Sequence, residues 1–378
     1  MAARVGDDRG AGLTGAVALV GFALAFGAAA SCSSKDSPSN GVDASDGGAD
    51  TGDAAPSCGV PASFAWTSSG VLLSPVSDAT HSLTAIKDPS VVYFNNKWHV
   101  FASSVNAAGS YNMVYMTFPD WDHTADATFY YMDQTPGFAG YKAAPQVFFF
   151  APQNKWYLIF QTGPPSYSTN DDIDDPTGWQ PQLNFFASEP PTVTATKGMG
   201  GWLDFWVICD DANCYLFFSD DEGHWYRSQT TIDRFPYGFA DPVVVMSDPV
   251  ASHLFEASNV YKMKDTGKYL ALVEAYDASS FYHRYFRSWT ADALDGDWTP
   301  LQDTYDAPFA STANVTFTQQ PPWTADISHG EMIRDGYDQQ LEIDTCHLQY
   351  LYQGLDPTMA NLPYNMLPWR LALLTATP

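Results

Sequence analysis

Three acidic residues stand in settings where a solvated acid is out of place: Asp88 in Ile-Lys-Asp-Pro-Ser, Asp204 in Trp-Leu-Asp-Phe-Trp and Glu256 in Leu-Phe-Glu-Ala. Apolar surroundings raise a carboxyl pKa, and a nearby like charge raises it further. Hydrolysis of a glycosidic bond requires two carboxyl groups, one protonated to donate to the leaving oxygen and one ionised to activate water or attack carbon. A third acid can hold the donor's pKa up and orient it. Lys87, beside Asp88, and Arg284, in His-Arg-Tyr-Phe-Arg-Ser, are placed to bind sugar hydroxyls or to keep a base ionised; the alternative for each is a surface charge or a salt bridge. The chain has 43 acidic residues, and any one of them alone reads as a turn or capping residue. The argument is therefore one of position.

That position follows from a repeat. A short β-rich strand, a polar turn and a second aromatic strand recur as Ser90-VVYFNNKWHVFASS, Gln146-VFFFAPQNKWYLIFQT, Phe205-WVICDDANCYLFFSD, Asn259-VYKMKDTGKYLALVEA and Glu331-MIRDGYDQQLEIDTCHLQYLYQ. With Val91, Val147, Val207, Val260 and Met332 as equivalent points, the spacings are 56, 60, 53 and 72 residues. Five units at that period predict an all-β, five-bladed β-propeller, with further strands at Tyr111 to Thr117, His224 to Ser228 and Tyr285 to Thr290. The alternative is a large β-sandwich with coincidental hairpin spacing. No amphipathic helical pattern of any length interrupts the repeat. In a propeller the residues just before each innermost strand converge around the axis. Three residues back from the equivalent points stand Asp88, Ala144, Asp204, Ala257 and His329, with Glu256 one further back in the fourth unit.

The rest of the chain says where such a domain would work. Residues 1–31 read as an export signal: Ala11 to Ala30 is an uncharged apolar run after Arg4 and Arg9. Ala29-Ala30-Ser31-Cys32 resembles a bacterial lipobox, which makes Cys32 the expected lipidated residue and membrane attachment through it an expectation. An ordinary cleaved signal and a retained membrane anchor are the alternatives. Residues 32–57, rich in Ser, Asp and Gly, form a solvated linker, and 58–378 the catalytic domain. The expected location is outside the cytoplasm, secreted or lipid-anchored at the cell surface.

The formal charge is −26; one lysine and five aspartates in the linker, and a balanced leader, leave about −22 on the domain. Such a surface repels nucleic acid and anionic lipid. Of five cysteines, four remain for two bridges in an oxidising compartment. Cys209 and Cys214 flank Asp-Asp-Ala-Asn between apolar runs and pair across a tight hairpin, which leaves Cys58 for Cys346. A metal site at Cys209 and Cys214 lacks nearby partner ligands.

From Cys58 to the C-terminus the sequence resembles the glycoside hydrolase family 62 α-L-arabinofuranosidases. The matching stretches include Cys58-Gly-Val-Pro-Ala-Ser-Phe-Ala-Trp, Ile86-Lys-Asp, Leu203-Asp-Phe-Trp-Val-Ile, Leu254-Phe-Glu-Ala, Arg284-Tyr-Phe-Arg-Ser, Asp326-Ile-Ser-His-Gly-Glu and Leu348-Gln-Tyr-Leu-Tyr-Gln-Gly. The resemblance implies a five-bladed propeller, an inverting mechanism and a disulfide like Cys58–Cys346. It implies Asp88 as general base, Glu256 as general acid and Asp204 as the acid that tunes and positions it. Lys87, Arg284 and Tyr364 become sugar contacts, and His329 the histidine at a structural calcium in the central channel, although calcium prefers oxygen ligands. No cofactor is implied for the chemistry. The family's Gln-Trp-Gly is Gln161-Thr162-Gly163 here, so a tryptophan platform for the xylan backbone is missing. The pair Cys209 and Cys214 also looks unusual for the family.

The leading expectation is a monomeric enzyme that removes single arabinofuranosyl groups from arabinoxylan or its oligosaccharides. A xylosidase or arabinanase of the related propeller clan is the enzyme alternative. A non-catalytic carbohydrate-binding propeller is the alternative of a different class.

Overall fold

Asn95 and Asn96 explain where the first hairpin turns. Their φ values of 50° and 60° are the left-handed pair that a two-residue hairpin loop needs, and asparagine adopts that region with little strain. They join β2 (Leu83–Phe94) to β3 (Lys97–Asn106), with Phe94 opposite Lys97. A computed structural model describes residues 58–277 and 283–377; the expected leader, Cys32 and the 32–57 linker lie outside the described residues.

The same hairpin recurs around a ring. Blade one continues with β4 (Tyr111–Phe118) and β5 (Thr128–Tyr131). Blade two holds β6 (Ala143–Phe150), β7 (Lys155–Gln161), β8 (Pro165–Asn170) and β9 (Leu183–Asn184). Blade three holds β10 (Leu203–Cys209), β11 (Asn213–Ser219), β12 (His224–Thr231) and β13 (Val243–Ser247). Its hairpin is closed by the Cys209–Cys214 disulfide across directly paired positions. Blade four runs β14 (Glu256–Met263), β15 (Lys268–Tyr276), β16 (Arg284–Ala291) and β17 (Thr299–Gln302).

Blade five is assembled from both ends of the domain. Its sheet order is β18 (Val315–Phe317), β1 (Trp66–Ser68), β22 (Arg370–Ala376), β21 (Gln349–Gly354) and β19 (Ser328–Met332). The long spacing of 72 residues before Met332 accommodates β18. A short β20 (Glu342–Ile343) crosses to pair in parallel with β14. The entering strand β1 thus completes the last blade, and the Cys58–Cys346 disulfide ties the same two regions. Both expected disulfides are present, and the five separate sheets set the sandwich alternative aside. One six-residue helix, α1 (Pro191–Thr196), was not expected; it buries only Val193 and is too short for a helical period to register. No helix among the described residues is long and apolar enough to cross a membrane.

Alternating side chains fill the space between blades. Trp66, Trp156, Trp225 and Trp369 are among the largest fully buried groups, and truncating any one to alanine costs about 3–5 kcal/mol by loss of packing. Each innermost strand also carries a bulge at the same point: Lys87/Ser90, Ala143/Gln146, Leu203/Trp206, Glu256/Asn259 and Ser328/Gly330. Those bulges position the site.

Candidate active site

At four of the five bulges one residue has a left-handed backbone: Asp88 (φ 50°), Ala144 (50°), Asp204 (56°) and Ala257 (56°). None is glycine, and a non-glycine residue is held there only when its surroundings over-determine it. What holds it is the preceding blade. The Asp88 N–H donates to Gln353 Oε1 (2.6 Å), Ala144 N–H to Ser103 Oγ (2.7 Å) and Asp204 N–H to Gln161 Oε1 (3.1 Å). In blade five the His329 N–H donates to Glu274 Oε2 (2.7 Å). The acceptors Ser103, Gln161, Glu274 and Gln353 occupy one register position on the second strand of each blade, opposite Lys87, Ala143, Glu256 and Ser328. In blade three that position is Ser219, opposite Leu203; its buried hydroxyl has no partner. There Asp204 substitutes, its Oδ2 accepting the Ala257 N–H at 2.9 Å. Blade five departs differently: a Cβ on Gly330 would meet the Leu351 carbonyl oxygen at 2.1 Å, so only glycine fits beside His329.

This lattice brings together every residue expected at the site. Asp88 and Asp204 are buried, and His329 lies between them, with Nδ1 3.2 Å from Asp88 Oδ1 and 3.9 Å from Asp204 Oδ2. Lys87 Nζ is 3.3 Å from Asp88 Oδ1 and donates to the Tyr364 hydroxyl at 2.9 Å. Arg284 lies buried against Glu256, with Nη1 2.5 Å from Oε1, and the same nitrogen also donates to Glu274 Oε1. Its guanidinium rests over the rings of Phe255 (5.1 Å) and Tyr364 (5.6 Å). Lys87 and Arg284 are therefore interior cations of the site: the surface charge is excluded for both, and the salt bridge is present in both.

The electrostatics separate Asp88 from Asp204. Burial pushes the Asp88 carboxyl up, but Lys87, His329 and Ser103 outweigh it and hold it well below the usual carboxylate range. The expectation that its apolar neighbours raise its pKa thus fails, because the ammonium, the histidine and the hydroxyl together outweigh burial. Burial, opposed by His329 and reinforced by Glu256 and Asp88, lifts Asp204 to about 7. Burial alone would lower His329, yet Asp204 and Asp88 hold it at about 9. Burial also works against the Lys87 ammonium, and Asp88 together with Tyr364, Tyr111 and Glu256 more than compensates, keeping it charged.

Sequence reasoning missed Glu274, a fully buried carboxylate that binds Arg284, the Ser328 hydroxyl (3.0 Å) and the His329 N–H. It also missed Tyr111 and Tyr141 at the rim. A signal existed: each repeat unit carries a polar residue at the end of its apolar second strand, as in Phe-Gln-Thr, Val-Glu-Ala and Tyr-Gln-Gly.

The calcium expected at His329 meets no protein cage. Among the described residues no group of three or more His, Cys, Asp or Glu side chains is arranged to hold a metal ion, and His329 Nδ1 is turned to the carboxylates. One observation leaves room for a hydrated ion. One layer deeper, Ser90, Gln146, Trp206 and Glu331 each bond across to the next blade, whereas Asn259 at the same register is fully buried with neither amide atom partnered. The Met332 N–H that it would have accepted goes to the Tyr261 hydroxyl instead (2.9 Å). A buried amide of this kind is normally satisfied by water.

The chain that gathers these carboxyls and cations from separate blades has known relatives. A family model described as Glycosyl hydrolase family 62 matches residues 65–375. The chain belongs to glycosyl hydrolase family 62. Alpha-L-arabinofuranosidase C of Cellvibrio japonicus is 43% identical over 320 residues, covering 84% of this chain and 48% of that protein. The chain therefore spans about half the length of that curated relative. The catalytic domain of the Coprinopsis cinerea family 62 α-L-arabinofuranosidase is 51% identical, with a TM-score of 0.81 over 84% of this chain and 98% of that one. PaAbf62A of Podospora anserina is 47% identical, with a TM-score of 0.80 over the same shares. A thermostable family 43 hydrolase, 13% identical with a TM-score of 0.54, shares the fold alone.

Proposed function

We propose that this family 62 chain is an inverting α-L-arabinofuranosidase that removes single arabinofuranosyl side groups from arabinoxylan. One observation carries the reading: the two outer carboxylates rest on separate cations, Asp88 on Lys87 and Glu256 on Arg284. Separate environments are what assign different roles to two acids in one pocket. Asp88, held ionised, takes the proton of the attacking water. Glu256 donates to the leaving xylose oxygen, oriented by the Arg284 guanidinium that it faces. Asp204 carries no bond-making step and fixes the bulge that bears Glu256. Lys87, Arg284 and Tyr364 bind the furanose hydroxyls. Relatives named α-L-arabinofuranosidases, and family 62 complexes with cellotriose and xylotriose, support this substrate class.

No cofactor enters the chemistry. A calcium ion in the central channel belongs to the same reading; His329 would be its protein ligand, and the ion would supply positive charge to the channel. The export signal, the lipidated Cys32 and the 32–57 linker are proposed with it, supported by two disulfides that suit an oxidising compartment. Cys32→Ala should move the protein from the membrane fraction to the soluble one.

Proton NMR of the first product from wheat arabinoxylan tests the reaction. Arabinose formed first as the β-anomer is expected. An initial α-anomer would indicate a covalent intermediate, and release of xylose or of arabinan fragments would replace the activity by that of the related clan. No released sugar would leave only a binding function.

A further inference from the structure

A cleft of about 1010 Å³ opens on blade five and shares no lining residue with the reactive groups described above. The segment between β18 and β19 brings Gln319, Gln320 and Trp323 to it, and the segment between β21 and β22 brings Met359. Arg370, the first residue of β22, also lines it. Its guanidinium is half-buried and fixed from one side: Nη1 donates to the Thr84 and Trp369 carbonyl oxygens, both at 2.8 Å. Among the described residues Nε and Nη2, which share the other edge, have no hydrogen-bond partner, and no carboxylate pairs with the group. Burial accordingly lowers its pKa with no opposing charge nearby. The acid in the lining, Asp356, is occupied elsewhere, its Oδ1 accepting the Thr358 N–H (2.9 Å) and hydroxyl (2.8 Å).

An arginine edge held from behind and empty in front matches a carboxylate, which takes two parallel N–H bonds from it. The rest of the lining says what carries that carboxylate. Trp323, half-buried and backed by the Tyr352 ring at 5.8 Å, and the exposed Met359 offer apolar surface to the C–H face of a ring. The exposed Gln319 and Gln320 amides suit hydroxyls at the edge of that ring. With 43 acidic residues against 17 basic ones the chain repels a polyanion, so the carboxylate must be carried singly on an otherwise neutral body. We propose that this cleft is a second, non-catalytic sugar site, and that it takes a uronosyl group with its carboxylate on Nε and Nη2 of Arg370. The proposal rests on the functional reading above only for the source of that sugar, an acidic side group of a xylan. Such a site holds the polymer by one kind of side group while the reactive pocket works on another.

Saturation-transfer NMR on the full chain compares methyl α-D-glucuronide with methyl α-D-glucoside, which has the same ring without the carboxylate. The glucuronide should bind at least about tenfold more tightly, and high salt should narrow the difference. Met359→Glu, a change at an exposed residue, brings a negative charge into the cleft. It should weaken glucuronide binding about tenfold while kcat/KM on 4-nitrophenyl α-L-arabinofuranoside stays within about twofold. Arg370→Lys, which keeps the charge and loses the fork, should weaken binding as well. Excess L-arabinose, directed to the reactive pocket, should not displace the glucuronide. Equal binding of the two glycosides, displacement by arabinose or an unaltered Met359→Glu affinity would each overturn the proposal. Tighter binding of ferulate would also overturn it, by assigning the cleft to an aryl acid. Binding is read here without catalysis, so failure of the unmodified protein to release arabinose would overturn the functional reading instead.

Discussion

Asp204 Oδ2 accepts the backbone N–H of Ala257 at 2.9 Å, and Ala257 is the residue that follows Glu256. Four blades have a second-strand side chain for this duty; blade three has Ser219, and Asp204 does it in its place. The carboxylate therefore holds the backbone next to Glu256 and also faces its charge.

These two contributions separate on substitution. Asp204→Asn keeps an acceptor for the Ala257 N–H and loses only the charge, whereas Asp204→Ala leaves a buried N–H unpaired, at a cost of about 1–3 kcal/mol. Asp204→Ala should have a kcat roughly tenfold below that of Asp204→Asn and a lower melting temperature. Steady-state kinetics and calorimetry of the two variants check this; identical values would limit Asp204 to an electrostatic role.

The acid and the base respond differently to the leaving group. Asp88→Asn should lose roughly 10²–10⁴ in kcat on every substrate, because water activation is needed throughout. Glu256→Gln should lose a similar factor on arabinoxylan but less than about tenfold on an aryl arabinofuranoside whose phenolate departs without a proton. Parallel losses of Glu256→Gln on both substrates would remove the acid role.

Glu274 supports the site from the interior. Glu274→Gln retains an acceptor for the His329 N–H but strips Arg284 of a fully buried ionic partner, a change that typically costs about 3–5 kcal/mol. Glu189→Gln, at the more exposed Lys197 pair (3.4 Å), should cost well under about 1 kcal/mol. Melting temperatures of the two variants give the comparison, and a stable Glu274→Gln would show that Glu256 alone suffices for Arg284.

Asp326 provides a pH test away from the reacting groups. Burial raises its carboxyl to about 7 despite the Arg284 N–H that it accepts at 3.0 Å. The unfolded chain loses this proton near pH 4, while the folded protein keeps it to about 7. Stability from this group is therefore complete below pH 4 and falls as pH rises towards 7, by roughly 1.4 kcal/mol per unit at most. Asp326→Asn, neutral throughout, should flatten that part of a melting-temperature profile; an unchanged slope would assign the pH dependence to other groups.

The propeller and its three acids were legible because both follow from local pattern. Apolar alternation and asparagine turns mark the hairpins, and their period marks the blades. Counting back three residues from each hairpin reached Asp88, Asp204 and His329 because the bulge recurs at a fixed offset. Ser103, Gln161, Glu274 and Gln353 were not legible in the same way. Each looks like an ordinary polar residue at a strand end, and its task appears only when the ring brings the next blade against it. Tyr364, in a short 3₁₀ turn between β21 and β22, carried no local signal and came from resemblance alone.

The handover of each bulge to the blade before it also bears on how such a protein could be rebuilt. A blade transplanted from a relative, for instance one bringing Gln-Trp-Gly in place of Gln161-Thr162-Gly163, would import its own strands but leave its bulge leaning on a foreign acceptor, and offer a foreign acceptor to the blade that follows. The natural unit of exchange is consequently offset from the visible one: the second strand of one blade together with the first strand of the next.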